Sequence, residues 1–275
     1  MTVRNITRTL APLLELLELE QPRVVTSDEL RALAGQVGID WPVEVVVRRL
    51  RERGWLLDLK TRGVWEFAPA ARAGAFGAGD PLIELRATLK RSPDAPLAVA
   101  AESAAYLLGL TSRRPDREVV AAPSGLRLPK ALKSFRVVRW TAGHLVVKDG
   151  IPVWDTPTLI AFMATEPDGY RDWPNVGEWI GQAGRDVSAD QVAEELHARP
   201  RAAWVRAAYL LDRGGNADAA RDLLARAPAG TGPYYLGDRK TRGRYDKRYD
   251  VIDSTQMEVT SADHRGLSRQ TLSRA

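Results

Sequence analysis

Basic side chains are concentrated in two stretches of the sequence, and their type and spacing suit the binding of phosphate groups. The first stretch holds six of them: Arg48, Arg49, Arg51, Arg53, Lys60 and Arg62. The second stretch, residues 113–148, carries nine basic and two acidic side chains, a net charge of +7. An arginine guanidinium binds phosphate or guanine through two parallel hydrogen bonds. Charge segregated in this way indicates an anionic partner, of which nucleic acid is the commonest.

The first basic stretch lies in a segment whose hydrophobic periodicity predicts three helices. Residues 4–19 have leucines at helical spacing, which predicts an amphipathic first helix. Thr26, with Glu29 three positions later, predicts a capping box at the start of the second helix. Asp40 is the predicted cap of the third helix, with Trp41 and a proline in its first turn.

The periodicity changes after Gly54, where two short runs with strand character are joined by a turn at Thr61–Gly63. Three helices followed by a β-hairpin is the element order of a winged helix-turn-helix, whose second motif helix enters the DNA major groove. The interpretation is therefore an N-terminal DNA-binding domain over residues 1–70, and the alternative is a small helical domain that contacts proteins. The predicted DNA contacts are Trp41, Glu44, Val45, Arg48, Arg49 and Arg51 on the third helix, with Lys60 and Arg62 at the tip of the wing.

The chain has 275 residues, which favours two domains. Residues 71–80 are small and glycine-rich, which predicts a linker. Residues 81–253 alternate between helix and strand patterns and predict a larger mixed α/β domain, so the overall fold class is α+β. Residues 254–275 are polar and aperiodic and predict a disordered tail.

Four short segments resemble AbiE-type antitoxins. They are Arg49–Leu56 and Arg62–Phe67 in the predicted winged helix, Glu102–Ala105 with Gly109–Leu110, and Asp155–Ala161. The sequence departs from the family pattern by carrying Trp65 where tyrosine is usual, and by lacking an aspartate late in the helix after Pro157. The resemblance implies a repressor that binds DNA upstream of its own operon. It also implies an antitoxin that counters a nucleotidyltransferase-like toxin, in many cases without a stable complex.

The second basic stretch provides a further set of candidate phosphate contacts. These are Arg113, Arg114, Arg117, Lys130 and Lys133. The alternatives are a solvated face of the protein and an RNA-binding surface.

Several kinds of chemistry have no support in the sequence. Absence of cysteine excludes disulfides and thiolate sites, and the three histidines lack ligand spacing. No phosphate-binding or nucleophile-elbow motif is found. We therefore expect no catalytic residue, no metal and no cofactor in a cytoplasmic protein that binds double-stranded DNA and not a membrane. Two alternatives remain: a nucleic-acid-processing enzyme that uses Asp246, Asp250 and Asp253, and a protein that binds the toxin directly through the acidic residues 149–225.

Overall fold

The structure is a computed structural model that describes residues 7–70 and 79–257. The described residues form two compact units. The first comprises the residues up to 97 together with 125–135, and the second comprises 98–124 together with the residues from 136 onward. Both units combine helices with β-sheet, as the sequence predicts. The predicted linker lies almost entirely in residues 71–78, outside the described residues.

The described part of the first unit begins with three helices and three strands. They are α1 (Ala11–Glu20), β1 (Val24–Thr26), α2 (Ser27–Gln36), α3 (Val43–Glu52), β2 (Leu56–Asp58) and β3 (Val64–Phe67). The strands form an antiparallel sheet of order β1-β3-β2, in which Val25 faces Trp65 and Leu57 faces Glu66. Buried side chains from all three helices and from β1, β2 and β3 pack into one core.

The capping box at the start of α2 is confirmed, with the Thr26 side chain and the Glu29 side chain each bonded to the other's backbone. Two other predictions for this unit are wrong. The first helix begins at Ala11, after a turn over residues 7–10. The cap of α3 is Pro42 and not Asp40, because Pro42 adopts an extended backbone (ψ 134°) that the helix cannot include.

A fourth helix, α4 (Ile83–Arg91), packs against β1 and β3 in the first unit. Its residues Leu85, Ala87 and Leu89 are buried. The sequence assigns this helix to the second domain. The helix also contacts a short 3-10 helix, Lys130–Ser134, which belongs to the first unit as well.

The second unit is built on a five-stranded mixed sheet of order β6-β5-β4-β8-β7. The strands are β4 (Ala98–Val99), β5 (Val119–Ala122), β6 (Arg136–Arg139), β7 (Leu145–Lys148) and β8 (Ile151–Trp154). Strand patterns in the sequence at residues 118–122, 135–140, 144–148 and 151–154 predict the other four strands, whereas β4 has only two residues, too few to show a period. Asp149 and Gly150 join β7 to β8, both with positive φ (50° and 74°), as a tight hairpin turn requires.

The described residues of this unit form six α-helices: α5 (Ala101–Leu107), α6 (Thr156–Thr165), α7 (Trp173–Ala183), α8 (Ala189–Glu195), α9 (Arg201–Arg213) and α10 (Ala217–Arg226). Residues 157–164 of α6 are all buried because the helix is apolar on every side. The sequence predicts Thr156, which precedes a proline, as the cap of this helix. The cap is instead Asp155, whose side chain accepts a hydrogen bond from the Thr158 amide.

A second sheet closes the unit, with strands β9 (Tyr234–Leu236), β10 (Arg244–Asp246) and β11 (Val251–Asp253) in the order β10-β11-β9. The sequence predicts one strand over Arg244–Asp253, but the chain reverses within it to form a hairpin. The predicted tail begins at 254, where the first residues are folded, with Thr255 and Met257 buried. Residues 258–275 lie outside the described residues. Within residues 7–70 and 79–257, the structure has no helix that could cross a membrane.

Candidate nucleic-acid interface

Helix α3 separates its apolar and polar residues onto opposite faces. Its four buried side chains are Val43, Val46, Val47 and Leu50. On the other face Glu44 is exposed, Val45 is half-buried, and the Arg48 and Glu52 side chains are each 65% exposed. The Arg48 Nε lies 4.0 Å from Glu52 Oε1, a distance at which an exposed ion pair constrains the arginine little. Arg48 can therefore reach a ligand that covers this face.

Trp41, which precedes α3, and Arg49, in the last turn of the helix, form a stacked pair. The Arg49 guanidinium carbon lies 4.2 Å from the centroid of the Trp41 ring, within cation–π distance. Trp41 itself is half-buried against the core of the first unit. The stack orients the Arg49 side chain before any ligand binds.

Arg51 differs from the other predicted contacts on α3 because its side chain is bonded within the protein. Its Nη2 donates to Asp58 Oδ2, which connects the end of α3 to β2. The geometry gives Arg51 a positioning role for the hairpin.

The hairpin tip carries Lys60 and Arg62, both exposed. Side chains of helix α4 form hydrogen bonds that fix the backbone of this tip. The Lys60 amide donates to Glu84 Oε1 at 2.8 Å, the Thr61 hydroxyl donates to Glu84 Oε2 at 3.3 Å, and Arg91 Nη1 donates to the Arg62 carbonyl at 2.8 Å. Since the backbone is fixed, the two cationic side chains are presented at a defined position.

The structure divides the second basic stretch between the two units. Arg113, Arg114 and Arg117 belong to the second unit, whereas Lys130 and Lys133 lie exposed on the 3-10 helix of the first. A net charge counted along residues 113–148 therefore describes two separate sets of cations.

Arg113, Arg114 and Arg117 have different surroundings in the second unit. Arg114 Nε donates to the buried Glu118 carboxylate at 2.6 Å, and its guanidinium lies over the Tyr106 ring. Arg113 is 72% exposed and lies 3.8 Å from Asp172. Arg117 is exposed and lines a cleft together with Arg113. The Arg114 side chain is thus engaged in contacts within the protein, whereas Arg113 and Arg117 line the cleft.

This cleft has a volume of about 280 Å³ and is lined by four arginines and three carboxylates: Arg113, Arg117, Arg136, Arg171, Glu102, Asp116 and Asp172, together with Pro115. At its base the buried Glu102 accepts hydrogen bonds from Arg136 Nη2 and from the Arg171 amide. Burial, together with the positive charges of Arg171 and Arg117, lowers the pKa of Arg136 despite the opposing effect of Glu102. Guanidinium groups are therefore crowded at this point, and an anion would relieve their repulsion.

The aspartates of the alternative catalytic site accept hydrogen bonds from residues in and around the second sheet. Asp246 accepts from the amides of residues 248 and 249, Asp250 accepts from the Tyr245 hydroxyl, and Asp253 accepts from the Tyr209 hydroxyl and from Thr255. Over the part of the chain that the structure describes, no group of three or more potential ligands could hold a metal ion. The geometry favours a role for these residues in fixing turns.

Residues 97–213 match the family model of the AbiEi antitoxin C-terminal domain. This segment is an AbiEi-type antitoxin domain. The resemblance to AbiE-type antitoxins seen in the sequence is thereby confirmed for this segment, and the match supports a role in a toxin–antitoxin system.

The structure of the chain is also similar to the crystal structure of the RV2827C protein from Mycobacterium tuberculosis. The TM-score is 0.74 and the sequence identity 27%, over 93% of this chain and 94% of that chain. Comparison with curated proteins gives no match. The AbiEi domain contains the arginine cleft, whereas α3 and the hairpin tip precede it in the sequence.

Sequence reasoning missed Glu84 and Arg91, which fix the hairpin tip from 24 and 29 residues away. No pattern of neighbouring residues indicates that a glutamate or an arginine on a helix will bond to a distant turn. It also missed the pairing of Glu102 with Arg136, although the first residue lies in a family segment and the second in the basic stretch.

Proposed function

We propose that this antitoxin is a DNA-binding transcriptional repressor, in which residues up to 70 form a winged helix-turn-helix that binds the operator of its own operon in the cytoplasm. The observation that supports this proposal is the position of α3. Its polar face is free of the core, it follows α2 through a short turn, and it is succeeded by a hairpin with a cationic tip. This order and these exposures suit a recognition helix with its wing.

Helix α3 would enter the major groove with Arg48 and Arg49 near base edges. An arginine that binds guanine through two hydrogen bonds supplies about 1–3 kcal/mol of discrimination. Stacking on Trp41 reduces the freedom that Arg49 must lose on binding. Glu44 and Val45 lie at the amino end of the same face, where a carboxylate can accept from cytosine and an apolar group can contact a thymine methyl.

The hairpin tip would contact the sugar–phosphate backbone. Lys60 and Arg62 project from a turn that Glu84 and Arg91 hold in place. Contacts of this kind fix register and add affinity without reading sequence. Lys130 and Lys133, exposed on the 3-10 helix of the first unit, are further candidates for phosphate contacts.

The arginine cleft of the AbiEi domain would provide a separate phosphate contact through Arg113 and Arg117. Arg171 is exposed at the same cleft and is added to the candidates on structural grounds. The toxin that the antitoxin counters is proposed to be nucleotidyltransferase-like, on the basis of the family resemblance alone.

The recognition helix is tested by fluorescence anisotropy with a labelled duplex from the chain's own upstream region. Arg48→Ala or Arg49→Ala should weaken binding by about 1–3 kcal/mol if the side chain reads a base. Arg221→Ala removes an exposed arginine from α10 and serves as the matched control. Unchanged affinity for both α3 variants would refute the assignment of α3 as the recognition helix.

The phosphate contacts are tested by the dependence of affinity on salt. Each lost phosphate contact should reduce the slope of log affinity against log salt by roughly 0.9. Replacing Arg117, Lys130 and Lys133 with glutamine should therefore flatten the slope by up to about 2.7, with equal weakening on specific and random DNA. A slope equal to that of Arg221→Ala would mean that these three cations do not contact DNA.

A further inference from the structure

Strand β7 forms an open edge of the five-stranded sheet of the AbiEi domain. It is the last strand in the order β6-β5-β4-β8-β7 and, among the residues that the structure describes, pairs with β8 alone. Its side chains Leu145 and Val147 are 49% and 72% exposed, two of the few large apolar side chains at the surface of the described residues. Natural proteins normally protect such an edge with charges, bulges or a covering element. An edge that instead exposes apolar side chains is suited to receiving another strand.

The hairpin geometry shows which backbone groups of β7 point outward. Lys148 pairs with Ile151 across the two-residue turn, and Val147 lies opposite Pro152, which has no N–H to donate. Since antiparallel pairs alternate between bonded and non-bonded positions, Val147 and Leu145 direct their N–H and C=O groups away from β8. In the described parts of the chain, these groups have no backbone partner outside β7 and β8.

We propose that a second copy of this chain occupies the edge, with the two β7 strands antiparallel about a twofold axis. In the register that uses the outward groups, Leu145 of each copy faces Val147 of the other, and each of these two pairs exchanges both backbone hydrogen bonds. The four apolar side chains then share one face of the joined sheet. Such an interface is isologous and closes, so it yields a dimer and not a fibre.

Charge complementarity favours this occupant over an unrelated strand. In the same register Lys148 of one copy lies opposite His144 of the other, on the face away from the apolar pairs. Glu194 is 63% exposed, and its Oε2 lies 2.6 Å from His144 Nε2, so its carboxylate stands where the incoming Lys148 ammonium arrives. The twofold axis repeats this contact, giving two ion pairs between Lys148 and Glu194 of opposite copies.

The test measures the association of the full chain by sedimentation velocity, without DNA, over about 1–200 µM, the range expected for a small interface. The wild-type chain should show a concentration-dependent dimer. Val147→Lys should raise the dimer dissociation constant at least about tenfold, because each copy then places a charge on the shared apolar face. Leu19→Lys is the matched control, since Leu19 is 82% exposed on α1 and distant in sequence from the edge.

A charge exchange separates this dimer from any other. Lys148→Glu alone and Glu194→Lys alone should each weaken association, and the double variant should restore it. A chain that remains monomeric throughout overturns the proposal, as does a dimer that Val147→Lys leaves intact or that the double variant fails to restore. A monomer that binds an extended peptide of another protein at β7 would also overturn it, by identifying a different occupant.

Discussion

The carboxylate of Glu195, at the end of α8, offers a quantitative test of how the AbiEi domain is held together. Its Oε1 accepts hydrogen bonds from the Gly143 amide (2.6 Å), the His144 amide (3.1 Å) and the Thr158 hydroxyl (2.9 Å). Its Oε2 lies 3.4 Å from Trp140 Nε1. One buried side chain thus fixes the segment between β6 and β7 and connects it to α6.

The cost of removing this carboxylate follows from the burial of its donors. In Glu195→Ala, the buried Trp140 loses its acceptor and the buried Thr158 hydroxyl retains only the His144 carbonyl, at 3.4 Å, whereas the two amides are partly exposed and can bond water. An unsatisfied buried donor costs about 1–3 kcal/mol, so the variant should lose about 2–5 kcal/mol of unfolding free energy. Glu195→Gln keeps one acceptor oxygen but directs an NH2 group at Trp140, and should lose about 1–3 kcal/mol.

Urea unfolding followed by tryptophan fluorescence measures these losses. Hydrogen exchange of the Gly143 and His144 amides reports the local opening that should accompany them. The neighbouring Glu194 is the control because it is exposed. At protein concentrations below those at which the chain associates, Glu194→Ala should change the unfolding free energy by no more than roughly 0.5–1 kcal/mol. If Glu195→Ala costs less than about 1 kcal/mol, or no more than Glu194→Ala, the carboxylate does not hold the segment.

Three further predictions concern single interactions. Thr26→Ala should cost about 1 kcal/mol of unfolding free energy through loss of the capping box, and an unchanged urea midpoint would contradict this. Arg136→Met should cost about 3–5 kcal/mol of unfolding free energy because it leaves the buried Glu102 without its counter-charge. Adding Glu102→Leu should recover part of this loss in a double-mutant cycle, and no recovery would show that the pair is not coupled. The hydrogen bond and charge of Glu194 raise the pKa of His144, so the stability from this contact is present at low pH and disappears as pH rises through the raised pKa. Glu194→Gln should lower that pKa in an NMR titration, and an unchanged titration curve would exclude the contact.

Features set by residues close together in the sequence could be predicted. The capping box depends on Thr26 and Glu29, three positions apart, and the buried face of α3 follows from apolar residues at helical spacing. The start of α3 could not be placed by cap preference alone. Asp40 is a common cap, but Pro42 has an extended backbone and itself accepts the first hydrogen bonds of the helix, from the amides of Val45 and Val46.

Features that depend on contacts distant in sequence could not be predicted. The hairpin tip is fixed by Glu84 and Arg91, which hydrophobic periodicity marks only as polar positions of a later helix. The four donors that converge on Glu195 come from two separate segments, the connection between β6 and β7 and helix α6. A buried carboxylate is stable only when such donors are assembled around it, and that assembly is a property of the tertiary fold.

The second basic stretch shows why charge along a sequence is a poor guide to a binding surface. Arg113, Arg114 and Arg117 lie in one compact unit, whereas Lys130 and Lys133 lie in the other. Within the first group Arg114 is paired with a buried glutamate, so its charge is already balanced. Electrostatic attraction to a polyanion depends on cations that remain unbalanced and accessible, and not on the net charge of the segment that encodes them. If the chain binds DNA as proposed, the salt dependence of that binding should therefore be smaller than nine basic residues would suggest, with each unit contributing through its own exposed cations.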